Sequence, residues 1–260
     1  MSPRGSGARP LPAVFYDRDP REVAPDLLGK LLVRVEDDGA RTVGRIVEVE
    51  AYCGADDPGS HAYRGETPRT RTMFGPPGGL YVYFSYGMHW CANAVCRPDG
   101  TAGAVLLRAL APVDGVDRMH ARRGPAARRD RDLCSGPAKL CQALGVDRRF
   151  DGTDLTAATS PLMVFHDETV AGSGSSVRAA TAAGGGLGGV GGGAGSRGLG
   201  VAGAAGSERA ARIGNSVRVG LSAGREHPWR WFVEGDPNVS RGPRSLAAPV
   251  TERRQGGRCR

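Results

Sequence analysis

Gly44-Arg45-Ile46-Val47-Glu48-Val49-Glu50-Ala51-Tyr52 is a β-branched, mostly apolar run that follows the turn signal Asp37-Asp38-Gly39. Such a run predicts a buried β-strand. Alternation along a strand puts Ile46, Glu48 and Glu50 on one face and Val47, Val49 and Ala51 on the other. A carboxylate on a packed strand is costly unless something pairs with it or uses it. Just downstream of Glu50 come Tyr52, His61, the loop Thr67-Pro68-Arg69 and the aromatic run Tyr81-Val82-Tyr83-Phe84-Ser85-Tyr86. A carboxylate beside several flat rings suggests a pocket for a planar ligand, with acid–base chemistry at its mouth.

Working outward, Asp19 is placed to cap a helix that starts at Pro20, with Glu22 three residues after the cap and Gly29 ending it. Strands are expected over Lys30–Glu36 and Arg41–Tyr52, and then over Leu80–Ser85, Met88–Arg97 and Ala102–Leu110. The links Tyr86-Gly87 and Pro98-Asp99-Gly100 are short, which makes the strands they join antiparallel. Cys53 to Gly79 is a long loop rich in Gly, Pro, Asp and Thr, and a loop of that length in a compact domain is usually functional. Ser135 to Gly145 reads as a capped helix with Pro in its first turn and Gly at its end, and Lys139 near its start could meet a phosphate. The expected fold is α+β: one domain over residues 12–241 with a curved, mostly antiparallel, barrel-like sheet flanked by helices. Residues 1–11 and 242–260 read as disordered ends. Residues 166–211 form an insertion whose centre, 171–206, is a Gly/Ala/Ser stretch too poor in large apolar side chains to fold by itself.

The chain has 260 residues and a formal charge of +8, which favours an anionic partner, nucleic acid first. Lys30 and Lys139 are its lysines, so the basic charge is nearly all Arg, a bias that a GC-rich genome also produces. The arginine-rich segment from Asp114 to Asp132 reads either as a solvated helix face or as a DNA contact. Six cysteines occur without a C-x-x-C pair or a zinc-finger spacing, so neither a metal site nor a disulfide framework is expected. The first ten residues lack the apolar core of a signal peptide and no apolar run reaches about 18 residues, so the expectation is a cytoplasmic, nucleoid-associated protein with reduced thiols.

Single residues leave alternatives open. Tyr86 is either an exposed wedge at a hairpin tip or a ring packed under the loop, and Tyr81 shares a face with Tyr83 as a core candidate. His61, Arg69 and Arg71 are either functional or simply solvated. Arg108 lies in the apolar strand Ala104-Val105-Leu106-Leu107-Arg108-Ala109-Leu110 and needs a carboxylate, Glu50 or Glu48. Asn93 either reads a ligand edge or satisfies backbone.

Five stretches together resemble the alkyladenine (methylpurine) DNA glycosylases: Gly44–Tyr52, Asp57–Thr70, Met73–Asn93, Ala104–Pro112 and Leu133–Leu144. Their order and spacing agree with that family over about residues 14–165 and 212–241. The resemblance implies that Glu50 is the general base for the attacking water. Arg108 and a main-chain carbonyl would hold that water with it. The carbonyl is assigned to Val219 in Arg218-Val219-Gly220; Arg212-Ile213-Gly214 is a rival match, and the distance to Pro228-Trp229-Arg230 favours Val219. Tyr52, His61 and Tyr83 would sandwich the flipped base, Asn93 would crowd the 2-amino group of guanine, and Tyr86 would intercalate. Arg69, Lys139 and the helix start Ser135–Pro137 would hold phosphates of double-stranded DNA. The resemblance further implies a monomer without metal or organic cofactor, and an abasic product without strand cleavage. The rival readings are a non-catalytic nucleic-acid-binding module and a hydrolase of small nucleosides.

Overall fold

The computed structural model describes residues 9–167, 212–243 and 245. The centre of the insertion and most of both expected disordered ends lie outside the described residues. Two edges of those segments are packed. Leu11 is fully buried and its N–H donates to the Val164 carbonyl at 2.8 Å, and Asp167 accepts two bonds from Arg45.

The fold is α+β, built around an open, curved sheet of eight strands whose pairings are all antiparallel. The strands are β1 Leu31–Val35, β2 Arg41–Tyr52, β3 Leu80–Ser85, β4 His89–Val95, β5 Ala104–Asp114, β6 Leu162–Phe165, β7 Ile213–Ser216 and β8 Arg230–Val233. Strand β2, the run that opened the sequence reading, is the hub. One edge pairs with β5 along almost its whole length; the other is divided between β1 at Arg41 to Arg45 and β8 at Glu48 to Glu50. Gly44 permits the close pairing with β5, since a Cβ there would lie 2.8 Å from the Leu110 side chain. The sheet does not close into a barrel, because the path β3-β4-β5-β2-β1-β6 ends at β6 while β7 and β8 branch from the middle of β2.

Strict alternation along β2 fails at one place. Ile46 joins the main core with Val49 and Ala51 instead of sharing a face with Glu48 and Glu50, and the pairing with β5 shifts on both sides of Glu48. An irregularity of this kind re-aims side chains and adds twist where it sits.

Among the described residues four α-helices flank the sheet: α1 Ala13–Tyr16, α2 Pro20–Leu27, α3 Val116–Arg123 and α4 Pro137–Leu144. The Asp19 side chain accepts from the Arg21 N–H as the cap of α2, and Gly29 follows the helix at φ 79°. Helices α2 and α4 press Val23, Ala24, Leu27, Leu140, Cys141 and Leu144 into the core. The cap expected at Ser135 is absent: Gly136 precedes α4, and the Ser135 hydroxyl takes the Lys139 ammonium at 3.2 Å instead. Only part of the 114–132 segment is a solvated face, because Arg123 is buried on the Leu133 carbonyl and Gln142, and Arg122 is paired with Glu36.

Candidate active site

Glu50 lies on β2 opposite Leu106 of β5 and Arg230 of β8, at the branch of the sheet. Its carboxylate has no exposed surface. Oε1 accepts from the Val219 N–H at 2.7 Å, Oε2 accepts from the Tyr52 hydroxyl at 2.9 Å, and Arg108 Nη1 stands 3.2 Å from Oε2. Arg108, required by the sequence to find Glu50 or Glu48, meets both: its Nε donates to Glu48 at 2.8 Å and its Nη2 to the Ser240 hydroxyl at 3.3 Å. Burial works against the guanidinium charge, but Glu50 and Glu48 outweigh it and raise the Arg108 pKa.

The rings stand in front of this pair. Tyr52, Gly59, His61, Met73, Tyr81, Tyr83, Asn93 and Leu221 line a cleft of about 60 Å³. His61 meets Tyr83 edge-on at 4.5 Å between centroids, and Tyr81 stacks on Tyr83 at 5.4 Å. Tyr81, a core candidate from its spacing, is buried, and its hydroxyl lies 3.1 Å from His61 Nδ1 at the edge of the cleft. Asn93 is buried across from Tyr81 and donates to its carbonyl at 3.1 Å. Burial, with the Arg69 charge second, lowers the His61 pKa and favours the neutral imidazole. Burial also pushes the phenols of Tyr52 and Tyr83 up, and that of Tyr81 to about 12. Arg69 lies over the Tyr83 ring at 5.7 Å, at the rim of the cleft.

Tyr86 and Lys139 lie away from the cleft. Tyr86 is at the tip of the β3–β4 hairpin, 83% exposed and at φ 51°, so it is not packed under the loop. A left-handed tyrosine is strained, and such strain held at an exposed tip is a pointer to function. Phe84 and Met88 are exposed beside it. Lys139 borders a separate basic groove of about 550 Å³ with Arg129, Arg131, Ser135, Ser240 and Arg241, and Arg108 forms part of its wall. Ile213 is half exposed in β7 opposite Val233, so it is Val219 that reaches the carboxylate, through its N–H.

Sequence reasoning missed the clamp behind Tyr52. Arg218 and Asp57 form a two-pronged ion pair at 2.6 and 2.7 Å, both side chains fully buried, and Arg218 stacks 4.7 Å from the centre of the Tyr52 ring. It named Glu48 as a candidate partner of Arg108 but missed Arg230 and Ser240, which share one buried hydrogen-bond network with Glu48. Burial alone would raise the Glu48 pKa, but the charges of Arg108 and Arg230 hold it below the usual carboxylate value. A second acid on β2 was the one available signal.

The sequence profile described as methylpurine-DNA glycosylase matches residues 14–181. The chain belongs to the methylpurine-DNA glycosylase family. Relatives agree along most of its length. A Burkholderia lata protein named "Putative 3-methyladenine DNA glycosylase" is 45% identical over 252 residues, covering 97% of each chain. Proteins of the same name from Streptomyces avermitilis and Chlorobaculum parvum are 43% and 41% identical, covering 89% and 94% of this chain and 91% and 96% of their own. This family member is therefore a DNA N-glycosylase, an enzyme whose substrate is DNA. Among its described residues no helix is long and apolar enough to cross a membrane.

Proposed function

We propose that this glycosylase rotates a damaged purine out of duplex DNA into the ring-lined cleft and hydrolyses its N-glycosidic bond with a water activated by Glu50. The observation that carries the reading is the position of Glu50: its carboxylate is bonded to Tyr52, which lines the cleft, and is ion-paired through the same oxygen with Arg108. An ionised carboxylate offers about four lone-pair positions. Val219 and Tyr52 take two as hydrogen bonds and Arg108 is ion-paired at 3.2 Å, which leaves acceptor capacity for water.

In the free protein the cleft is small, about 60 Å³, and Glu50 beside it has no exposed surface. Base entry therefore goes with movement of the lining side chains, and that movement opens Glu50 to the attacking water and the sugar C1′. Extrusion of the base costs roughly a few kcal/mol, less for a damaged or mispaired one. Stacking on Tyr83 and Tyr52 returns about 1–3 kcal/mol per ring. A cationic methylpurine gains roughly 0.5–2 kcal/mol more between electron-rich faces, and the neutral state of His61 spares it a like charge. Alkylation also makes the purine a better leaving group. The Val219 carbonyl would hold the water with Arg108, Asn93 would exclude normal guanine, and Tyr86 would fill the vacated stack. Arg69 and Lys139 would bear on the phosphates. No lysine lines the cleft, in keeping with hydrolysis to an abasic site without strand cleavage.

The reading covers 3-methyladenine and 7-methylguanine, and extends to hypoxanthine and ethenoadenine. The test is base release from duplexes carrying each lesion, with wild type beside Glu50→Gln. Glu50→Gln should lose release by about 10²–10⁴-fold while still binding an abasic-analogue duplex. Release by Glu50→Gln at near the wild-type rate would remove Glu50 from the chemistry. Duplex binding by the wild type with no free base from any lesion would favour the binding-module reading.

A further inference from the structure

The basic groove beside Lys139 and the exposed tip around Tyr86 belong to the DNA contacts already proposed above. The buried network one turn of the pleat away from Glu50 does not. We propose that Glu48 is a positioning residue for this hydrolysis, holding the Arg108 guanidinium so that only one of its nitrogens meets Glu50. The inference rests on the reading of Glu50 given above.

Glu48 is not placed to act as the base: its partners Arg108, Arg230 and Ser240 do not line the ring-lined cleft, whereas Glu50 is bonded to Tyr52, which does. Its carboxylate receives four donors from three chain segments. Oε1 accepts from Arg108 Nε at 2.8 Å, Arg230 Nε at 2.7 Å and the Ser240 hydroxyl at 2.9 Å; Oε2 accepts from the Ser240 N–H at 2.7 Å. A guanidinium carries its donors in a rigid planar fork, so committing some of its edges orients the rest. With Nε on Glu48 and Nη2 on Ser240, the remaining nitrogen, Nη1, is the one left for Glu50. Without Glu48, Arg108 is free to turn both terminal nitrogens onto Glu50, the two-pronged geometry that arginine and carboxylate prefer. That pairing would occupy the lone pair the water needs.

Charge points the same way. Glu48 and Glu50 face Arg108 and Arg230, two acids against two cations in a buried space. A neutral residue 48 would leave Arg108 and Arg230 sharing Glu50 as their carboxylate in this cluster. Position in the chain adds a second function: Arg108 precedes the stretch 168–211, whereas Arg230 and Ser240 follow it. Glu48 is thus where both parts of the domain fasten beside the reacting carboxylate. An ion pair whose only purpose was stability would be a poor choice here, since buried pairs are often matched or bettered by apolar residues.

The test uses full-length Glu48→Gln and Glu48→Met/Arg230→Met, with wild type and Glu50→Gln alongside. Single-turnover release of 7-methylguanine, affinity for an abasic-analogue duplex and thermal unfolding are measured for each. The double variant removes one charge of each sign and so keeps the cluster neutral if the single variant fails to fold. Both Glu48 variants should lose roughly 10²-fold in release rate, the size of effect that small misplacements of a catalytic group produce, with affinity close to wild type. Added to Glu50→Gln, Glu48→Gln should cause little further loss, as expected of residues acting through one group. A folded variant that keeps its rate, a parallel loss of rate and affinity, or failure of both variants to fold would overturn the proposal. Activity in wild type and its loss in Glu50→Gln test the role of Glu50 separately, whichever way Glu48 falls.

Discussion

Asp57→Asn removes the charge that faces Arg218 while preserving the side chain's shape. Both side chains are fully buried, and the pair ties the loop after β2 to the segment after β7. Asp57 also accepts the N–H groups of Cys53 and Gly59, and Arg218 also donates to the carbonyls of Ala51 and Gly224. Breaking a buried pair by neutralising one partner costs about 3–5 kcal/mol. At about 2–4 °C per kcal/mol for a domain of this size, the unfolding midpoint should fall by roughly 6–20 °C. The chemical effect follows from the next residue, because the Val219 N–H is bonded to Glu50. A hydrogen bond to a charged group contributes about 1.5–3 kcal/mol, so losing its alignment should slow base release by roughly ten- to a hundredfold. Thermal unfolding by circular dichroism gives the first quantity. Single-turnover release well below both midpoints gives the second. Asp57→Leu/Arg218→Met should recover much of the stability without the rate. A midpoint for Asp57→Asn within about 2 °C of wild type, or a large fall in midpoint with an unchanged rate, would refute the clamp as described.

Other consequences can be checked separately. Tyr86→Ala should change stability by less than about 0.5 kcal/mol, because the ring is exposed, yet weaken binding of an abasic-analogue duplex by about 1–3 kcal/mol in an equilibrium titration; unchanged binding would remove it as a wedge. The His61 pKa lies below 6.5 in the folded protein, so between 6.5 and that lower value the unfolded chain binds more protons. Stability should therefore fall as pH drops through this window, and His61→Asn should flatten that part of a melting-versus-pH curve. Lys139→Ala should reduce the slope of log affinity against log salt by about 0.9 with little change in unfolding midpoint, if the ammonium meets one phosphate; an unaltered slope would place it off the DNA path.

Local signals were enough for much of the framework. The bounds of β2 and β3 follow from β-branched and aromatic runs between turn residues, and the start of α2 follows from Asp19 followed by Pro20. Glu50, Tyr52 and Tyr83 are conspicuous as an acid and rings in apolar strands, whereas His61 and Asn93 were left open by their spacing and were singled out by the resemblance to the glycosylase family. The failures also have local causes. Ile46 turns to the core because the β2–β5 pairing is irregular near Glu48, and a period-two pattern carries no trace of that. Ser135 does not cap α4 because the helix starts at Pro137, which puts Gly136 and not Ser135 at the cap position.

Choice of partner is a different kind of information. Arg108 called for one acid in the sequence, but two strands and a distant turn place Glu48, Glu50 and Ser240 around it together. Asp57 and Arg218, 161 residues apart, each looked like an ordinary loop charge until folding buried both. Val219 and Ile213 sit in similar tripeptides, and only the path of the chain after β7 brings one of them to the carboxylate. Strand, turn and cap preferences act over a few residues and are written in the chain directly. The pairing of buried charges depends on distances and directions that exist only after the sheet has formed, and that is where this active site acquires its geometry.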